Sequence, residues 1–216
     1  MRTDTAANML KMMEYLPIHF LHGGCNNHVI QLTINDEIHE KPSLKNLIKT
    51  CRHICTYAKQ SVQLSQFIVS KQMDGGKEKS QCLNLVQDVV TRWNSTFLML
   101  KRFILLQPVT RDLLLDQQWQ RKLNLRISNA DWSLMEKVVM VLKVFYEATV
   151  RLSSNSACIS DVIPTITGLI VSLSSEDRDD LGVRDFKRKL NTSLNERLGA
   201  KEEFEKYSVA TLLDPR

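Results

Sequence analysis

Apolar residues recur at helical spacing through most of this chain. After Pro42 and Ser43, which suit a first turn and a cap, the spacing predicts one long helix that runs to about Lys71. A second apolar face, Trp132–Leu152, follows Ser128 and Asp131, which fit a capping box. The apolar stripe of the first of these helices comprises Leu44, Leu47, Ile48, Cys51, Ile54, Cys55, Ala58 and Val62.

Shorter periodic segments predict further helices, and the fold class is therefore mainly α. His28–Ile38 is short enough to be helix or strand, and we prefer helix. Met73–Gln81 has paired glycines and charges without periodicity, which predicts an exposed loop. The other predicted helices are Thr5–Leu16, Asp88–Leu106, Val109–Asp116, Ile159–Leu173 with a kink or delayed start at Pro164, and one capped by Ser174 and Asp177 that runs to about Leu198.

Composition limits the class of protein. Of the 216 residues, 43% are hydrophobic and 25% are charged, as in soluble globular domains. Seven glycines and five prolines exclude collagen-like and low-complexity chains. No apolar run approaches the roughly 18 residues that span a bilayer, and the five irregularly spaced cysteines favour reduced thiols. We therefore expect an intracellular protein with no membrane partner.

Positive charge is concentrated in two stretches, within a formal net charge of +5. Lys41–Lys79 carries eight Lys and Arg against two acidic residues, and Lys101–Arg126 carries six against two. Each stretch could form a surface for nucleic acid, or its basic side chains could simply cover the outer faces of amphipathic helices. The sequence leaves both readings open.

One short string contains residue types that bind zinc. His19, His22, Cys25 and His28 recur every third residue. Four such ligands would have to wrap one ion within a single turn, and no second pair follows at a finger-like distance, so we expect no zinc site there. Cys51 and Cys55 belong to the apolar stripe and are expected to be buried.

Four strings, in their order and rough spacing, resemble the hAT transposase family, especially its transposase-derived members with zinc finger BED domains. The strings are TDTAANM at 3–9, CNNHVIQLTIND at 25–36, DVVTRWNSTFLML at 88–100 and ATLLDPR at 210–216. The resemblance extends over essentially the whole chain. It implies a fragment of a ribonuclease-H-like α/β fold with a large all-helical insertion. In this interpretation residues 1–40 are a partial core, 41–205 the helical insertion and 206–216 the start of the return to the core.

The resemblance also assigns candidate site residues. Asp4 matches the second of three carboxylates that hold two divalent ions, Mg or Mn, in active members. The other two carboxylates are expected before Met1 and after Arg216, so we expect this fragment to be catalytically inactive, with Asp4 vestigial and no cofactor. Arg92 and Trp93 match a pair that contacts DNA, where the tryptophan stacks on a flipped base. Ordinary core packing is the alternative for Trp93.

The remaining implications concern structure and partners. Cys25 and His28 match a CxxH pair that we interpret as structural. Zinc is expected only in a BED finger outside this chain, and homo-oligomer formation through a C-terminal region that is also outside it.

The function implied by the resemblance is that of a domesticated, nuclear DNA-binding protein that regulates transcription. A truncated active transposase that cleaves and joins DNA is one alternative. A helical protein-interaction scaffold without a nucleic-acid role is another. Strong salt dependence of binding would favour DNA contact over a protein interface.

Overall fold

The computed structural model describes residues 25–175, 182–198 and 201–215. Within these ranges the chain forms α-helices, two short 3₁₀ turns and no strand, which confirms the mainly α prediction. Asp4, His19, His22 and the predicted helix Thr5–Leu16 lie outside the described residues. The helices are α1 Asn26–Glu40, α2 Pro42–Gln60, α3 Val62–Asp74, α4 Trp93–Leu105, α5 Gln107–Leu115, α6 Gln117–Leu123, α7 Asn129–Ser153, α8 Val162–Ser174, α9 Arg184–Leu198 and α10 Lys201–Leu212.

The chain divides into two compact units. One is Ile38–Leu142, and the other comprises the described residues up to Glu37 and from Lys143 onward. The boundaries fall inside α1 and α7. This division follows spatial compactness, whereas the division at residues 40 and 205 follows the family resemblance and stays a prediction.

Seven of the eight residues in the predicted apolar stripe are buried on α2. The prediction was wrong for Val62, which begins the next helix and is 71% exposed, because α2 is shorter than expected. It ends at Gln60, and Ser61 adopts an extended conformation with φ −110° and ψ 108°. The Ser61 hydroxyl accepts a hydrogen bond from Leu64 N at 3.2 Å and so caps a separate helix, α3. A serine side chain that satisfies a free N–H competes with continuation of the helix. The start of α2 also differs, because Lys41 is the N-cap residue and Ser43 lies inside the helix.

The predicted loop after α3 is present, and it extends further than the sequence suggested. Gly76 has φ +88°, a left-handed conformation that glycine tolerates without strain. Residues 82–90 are not helical, and α4 begins only at Trp93 rather than at Asp88. Asp88 is excluded from the helix because its side chain is held by α2 and α4, as described below.

In the rest of this unit, a proline and capping side chains lie where helices begin. Pro108 lacks an N–H, and the chain breaks at Leu106 before α5 begins. Asp116 caps α6 by accepting hydrogen bonds from Gln118 N and Trp119 N. The predicted capping box is confirmed, with Ser128 N donating to Asp131 Oδ2 at 2.9 Å and Asp131 N to Ser128 Oγ at 3.1 Å.

In the other unit, a 3₁₀ turn at Ile159–Asp161 precedes α8, which begins at Val162 and therefore contains Pro164 in its first turn. The assignment of Ser174 as a cap of the next helix was wrong, and Asp177, its predicted partner, lies outside the described residues. Ser174 is the last residue of α8, and its hydroxyl donates to Ile170 O at 2.8 Å. Among the described residues, no helix combines the length and apolar character needed to cross a bilayer.

Candidate nucleic-acid interface

A buried polar cluster around Asp88 organises one face of the Ile38–Leu142 unit. Arg52 Nε on α2 donates to both Asp88 carboxylate oxygens at 3.0 Å, and Arg52 Nη2 donates to Oδ2 at 2.7 Å. Thr96 Oγ1 on α4 donates to the same Oδ2 at 2.7 Å. The Asp88 side chain is fully buried, whereas the Arg52 side chain is 29% exposed. The cluster therefore fixes the segment before α4 between two helices and keeps one edge of a guanidinium at the surface.

The charge state of Asp88 follows from two opposed effects. Burial raises the pKa of this carboxyl, because it removes water from the ionised form. The hydrogen bonds from Arg52 and Thr96, together with the positive charge of Arg52, outweigh burial and lower the pKa below its usual value. Asp88 is thus ionised at neutral pH and compensates the charge of Arg52.

Ser95 shapes the turn that leads into α4. Its hydroxyl accepts a hydrogen bond from Val89 N at 2.8 Å and donates to Arg92 O at 2.6 Å. Arg92 is the N-cap residue and is exposed, while Trp93 begins the helix and is only 2% exposed. The Trp93 ring lies 6.4 Å from that of Phe97, measured between centroids. Arg92 is therefore exposed to solvent, whereas the next residue, Trp93, is buried in the core.

Of the two residues predicted to bind DNA, Arg92 is accessible to a ligand and Trp93 is not. Trp93 occupies the core, which is the packing alternative, and stacking on a base would require its indole to leave that core. Arg92 presents its side chain to solvent at a helix N-terminus, where positive charge can meet a phosphate. A DNA-binding role for either residue stays a prediction.

The exposed side of α2 carries positive charge without any acidic residue in the helix. Lys45, Lys49 and Arg52 fall on one face, since they are spaced four and three residues apart. Lys45 and Lys49 are exposed and form no ion pair within the part of the chain that the structure describes. We name the exposed residues Lys45, Lys49 and Arg92 the basic surface; Arg52 is not included because Asp88 compensates its charge. Arg92 lies on the segment that the Arg52–Asp88 ion pair ties to α2.

Three of the six basic residues in the second basic stretch contact neighbouring residues, while Lys101, Arg121 and Arg126 are exposed. Arg102 Nη1 donates to Asn84 O at 2.7 Å. The Arg111 guanidinium lies 5.6 Å from the Trp132 ring centroid, and Lys122 Nζ lies 4.9 Å from that of Trp119. For these three residues the structure supports the reading in which basic side chains cover helix surfaces.

The structure contains little support for a metal site in the ranges it describes. Within those ranges, no group of three or more His, Cys, Asp or Glu side chains could hold a metal ion. Cys25 is half-buried and precedes α1, and its carbonyl accepts hydrogen bonds from His28 N at 2.9 Å and Val29 N at 3.2 Å. The structural role of Cys25 and His28 stays a prediction, and Asp4 lies outside the described residues.

Sequence reasoning missed the role of Arg52. It placed Asp88 in a motif, but the partner that holds Asp88 lies 36 residues earlier in the chain. The available signal was a basic residue on a helix without acidic residues, and that signal also fits Lys45, Lys49 and Lys59. Periodicity alone could not distinguish them.

Comparisons with known proteins identify a matching family and several relatives of this chain. Residues 23–141 match the protein family described as the ZBED1 RNase-like helical domain. Zinc finger BED domain-containing protein 6 of Homo sapiens is 30% identical over 204 residues, which cover 91% of this chain and 20% of that protein. Zinc finger BED domain-containing protein 4 of Homo sapiens is 27% identical over 192 residues, covering 89% of this chain and 16% of that protein.

A more distant relative is tpeD of Talaromyces stipitatus, whose name proposes a transcriptional regulator. It is 27% identical over 186 residues, which cover 70% of this chain and 21% of that protein. The chain therefore spans only 16–21% of the length of these relatives. The Asp88 cluster and the basic surface both fall within the residues that match the family.

Proposed function

Because the chain belongs to the family of the ZBED1 RNase-like helical domain, we propose that it is the helical, DNA-contacting part of a transposase-derived protein that regulates transcription in the nucleus. The BED relatives and the named fungal regulator support the regulatory part of this proposal. The basic surface supports the DNA part. DNA is accordingly the proposed partner and the nucleus the proposed location.

One observation carries the DNA contact: Lys45 and Lys49 stand exposed on a helix without acidic residues. Ammonium groups in this setting bind phosphate oxygens and release the counterions that DNA carries. Such contacts read no sequence, so in this proposal the domain positions the protein on DNA while another module selects the site. The Asp88 cluster contributes by holding Arg52 and the turn of Arg92 in place.

Strand cleavage by these 216 residues is not part of the proposal. Two-metal cleavage needs several carboxylates around a pair of ions. The resemblance assigns only Asp4 to that role in this chain, and the described residues provide no group of metal ligands to accompany it.

The experiment is a titration of fluorescent duplex DNA with the whole chain at several salt concentrations between about 50 and 200 mM. The test variant is Lys45→Gln/Lys49→Gln/Arg92→Gln. The matched control is Lys143→Gln/Arg184→Gln/Arg188→Gln, which removes the same charge from exposed positions in the other unit. Circular dichroism verifies that both variants are folded.

The wild type should bind with a steep loss of affinity as salt rises. In the test variant, the slope of log K against log salt should become less steep by up to about 2.7, because each of the three lost phosphate contacts contributes about 0.9. The control should keep most of the slope. Equal losses in the two variants would mean that only net charge matters, and a folded wild type that does not bind DNA would contradict the proposal.

A further inference from the structure

The outer face of α3 forms an open groove of about 470 Å³ in the Ile38–Leu142 unit. Val62, Val69 and Met73 line its floor, and the first and last of these are 71% and 45% exposed. They fall on one side of the helix, seven and four residues apart. The eleven helical rises from Val62 to Met73 give this floor a length of about 16 Å.

The hydroxyls of the two serines that line the groove are engaged in hydrogen bonds. The Ser65 hydroxyl donates to Ala58 O at 2.7 Å, and the Ser70 hydroxyl donates to Phe67 O at 3.0 Å. Both serines thus direct their hydroxyl hydrogens to the backbone of their own region. Gln66, which is exposed and lies midway between Val62 and Val69 on the same side of α3, also lines the groove. The floor is therefore apolar on either side of one amide, which suits apolar side chains at its two ends.

One wall of the groove is held rigidly. Gln72 is buried, and its amide donates to Leu83 O at 2.7 Å and accepts from Leu83 N at 2.9 Å. Cys82 Sγ lies 3.7 Å from Val69 O. These contacts fix the segment after Gly76 so that it returns along the C-terminal half of α3. Lys79 lies on this segment and lines the groove.

The charge of the groove is of one sign. Lys59, in the last turn of α2, and Lys79 both line it, and no acidic residue does. The nearest carboxylates in sequence, Asp74 and Glu78, are not among the lining residues. An apolar floor between two ammonium groups is complementary to a helix that has apolar residues on one face and carboxylates near both ends.

We propose that this groove binds an acidic amphipathic helix of a partner protein. Its apolar residues at spacings of i, i+3, i+4 and i+7 pack on Val62, Val69 and Met73, while its carboxylates pair with Lys59 and Lys79. DNA is a poor occupant, because phosphates and sugars cannot replace water over an apolar floor. This interaction goes beyond the proposed function and uses a different surface from the Lys45 and Lys49 contacts.

The experiment uses a fluorescent helical peptide of about 18 residues, a length at which an isolated helix can form. It carries leucines at the four anchor spacings and glutamates flanking them. A second peptide has lysines in place of the glutamates. Each is titrated into the whole chain, into Lys59→Glu/Lys79→Glu, and into the matched control Arg184→Glu/Arg188→Glu, which lies in the other unit.

The glutamate peptide should bind the wild type and the control with equal affinity and bind Lys59→Glu/Lys79→Glu at least about tenfold more weakly. The lysine peptide should bind that variant better than it binds the wild type. This exchange of preference requires a folded protein, so it separates charge pairing from loss of structure. Met73→Gln is a second probe of the groove. Added to the wild type, it should weaken binding of the glutamate peptide. Added to Lys59→Glu/Lys79→Glu, it should weaken binding of the lysine peptide.

Two results would overturn the proposal. One is the absence of saturable binding of the glutamate peptide to the folded wild type, or binding that Lys59→Glu/Lys79→Glu leaves unchanged. The other is self-association of the wild type in sedimentation experiments, if Lys59→Glu/Lys79→Glu abolishes it. That result would make a second copy of the chain the occupant of the groove. Neither result affects the DNA titration, so the two proposals can fail independently.

Discussion

Replacing Asp88 by Asn should lower the free energy of unfolding by about 3 kcal/mol at neutral pH. The substitution keeps an oxygen that can accept the hydrogen bond from Thr96, but it removes the negative charge that Arg52 faces. Breaking a buried ion pair costs about 3–5 kcal/mol. The Arg52 side chain is 29% exposed and can regain water, so the lower end of that range applies.

The effect should depend on pH in a defined direction. The pKa of Asp88 is lower in the folded chain than its ordinary value of 3.8. The folded state therefore gains stability from this carboxylate above pH 3.8, and it loses that stability as the pH falls through the folded pKa. Wild type and Asp88→Asn should thus converge in stability as the solution is made strongly acidic.

The assay is urea unfolding of wild type, Asp88→Asn and the control Asp112→Asn at neutral and at acidic pH. Asp112 is an exposed carboxylate in the same unit, so its replacement should change stability by less than about 0.5 kcal/mol. A loss of less than about 0.5 kcal/mol for Asp88→Asn at neutral pH, or a loss of the same size at both pH values, would refute the reasoning.

Three further outcomes follow from the described structure. Trp93→Ala should reduce the free energy of unfolding by about 3–5 kcal/mol, because the indole is buried; a loss below about 1 kcal/mol in urea titration would contradict this. Iodoacetamide should label the exposed Cys158 well before Cys51 and Cys55, since burial raises the pKa of Cys55 to about 12 and also raises that of Cys51; comparable labelling rates by mass spectrometry would show otherwise. Asp131→Ala should cost about 1 kcal/mol through loss of the capping box, and an unchanged urea midpoint would argue against that role.

Features whose determinants lie close together in sequence could be predicted. The apolar faces of α2 and α7 are periodic over many turns, so burial of one side follows from helical geometry. The capping box joins two residues three positions apart, and both were recognised. The preference for helix at His28–Ile38 was confirmed by α1.

Helix boundaries were harder to predict, because the apolar pattern continued across them. Ser61 interrupts what was predicted as one helix, since its hydroxyl caps α3. Asp88 stays outside α4 because Arg52 and Thr96 hold its carboxylate. At Ser61 a side-chain hydrogen bond caps the next helix, and before α4 side-chain hydrogen bonds hold Asp88 in a non-helical segment. Helical periodicity does not detect such bonds.

The candidate site could be predicted only in part. Counting charges identified two basic stretches, and the structure distinguishes residues within each of them. Lys71 of the first stretch and Arg111 and Lys122 of the second lie over aromatic rings. Lys45 and Lys49 of the first and Lys101 and Arg121 of the second stand exposed without such a contact. Which basic side chains have partners depends on residues brought together by folding, and this information is absent from composition.

The central claim, that Lys45 and Lys49 contact DNA phosphates, is tested most directly by lysine footprinting. The folded chain is acetylated with and without saturating duplex DNA, and the rate at each lysine is measured by mass spectrometry. Acetylation of Lys45 and Lys49 should slow several-fold on binding, while that of Lys143 in the other unit should stay unchanged. Unchanged rates at Lys45 and Lys49 under saturating DNA would show that these lysines do not contact DNA.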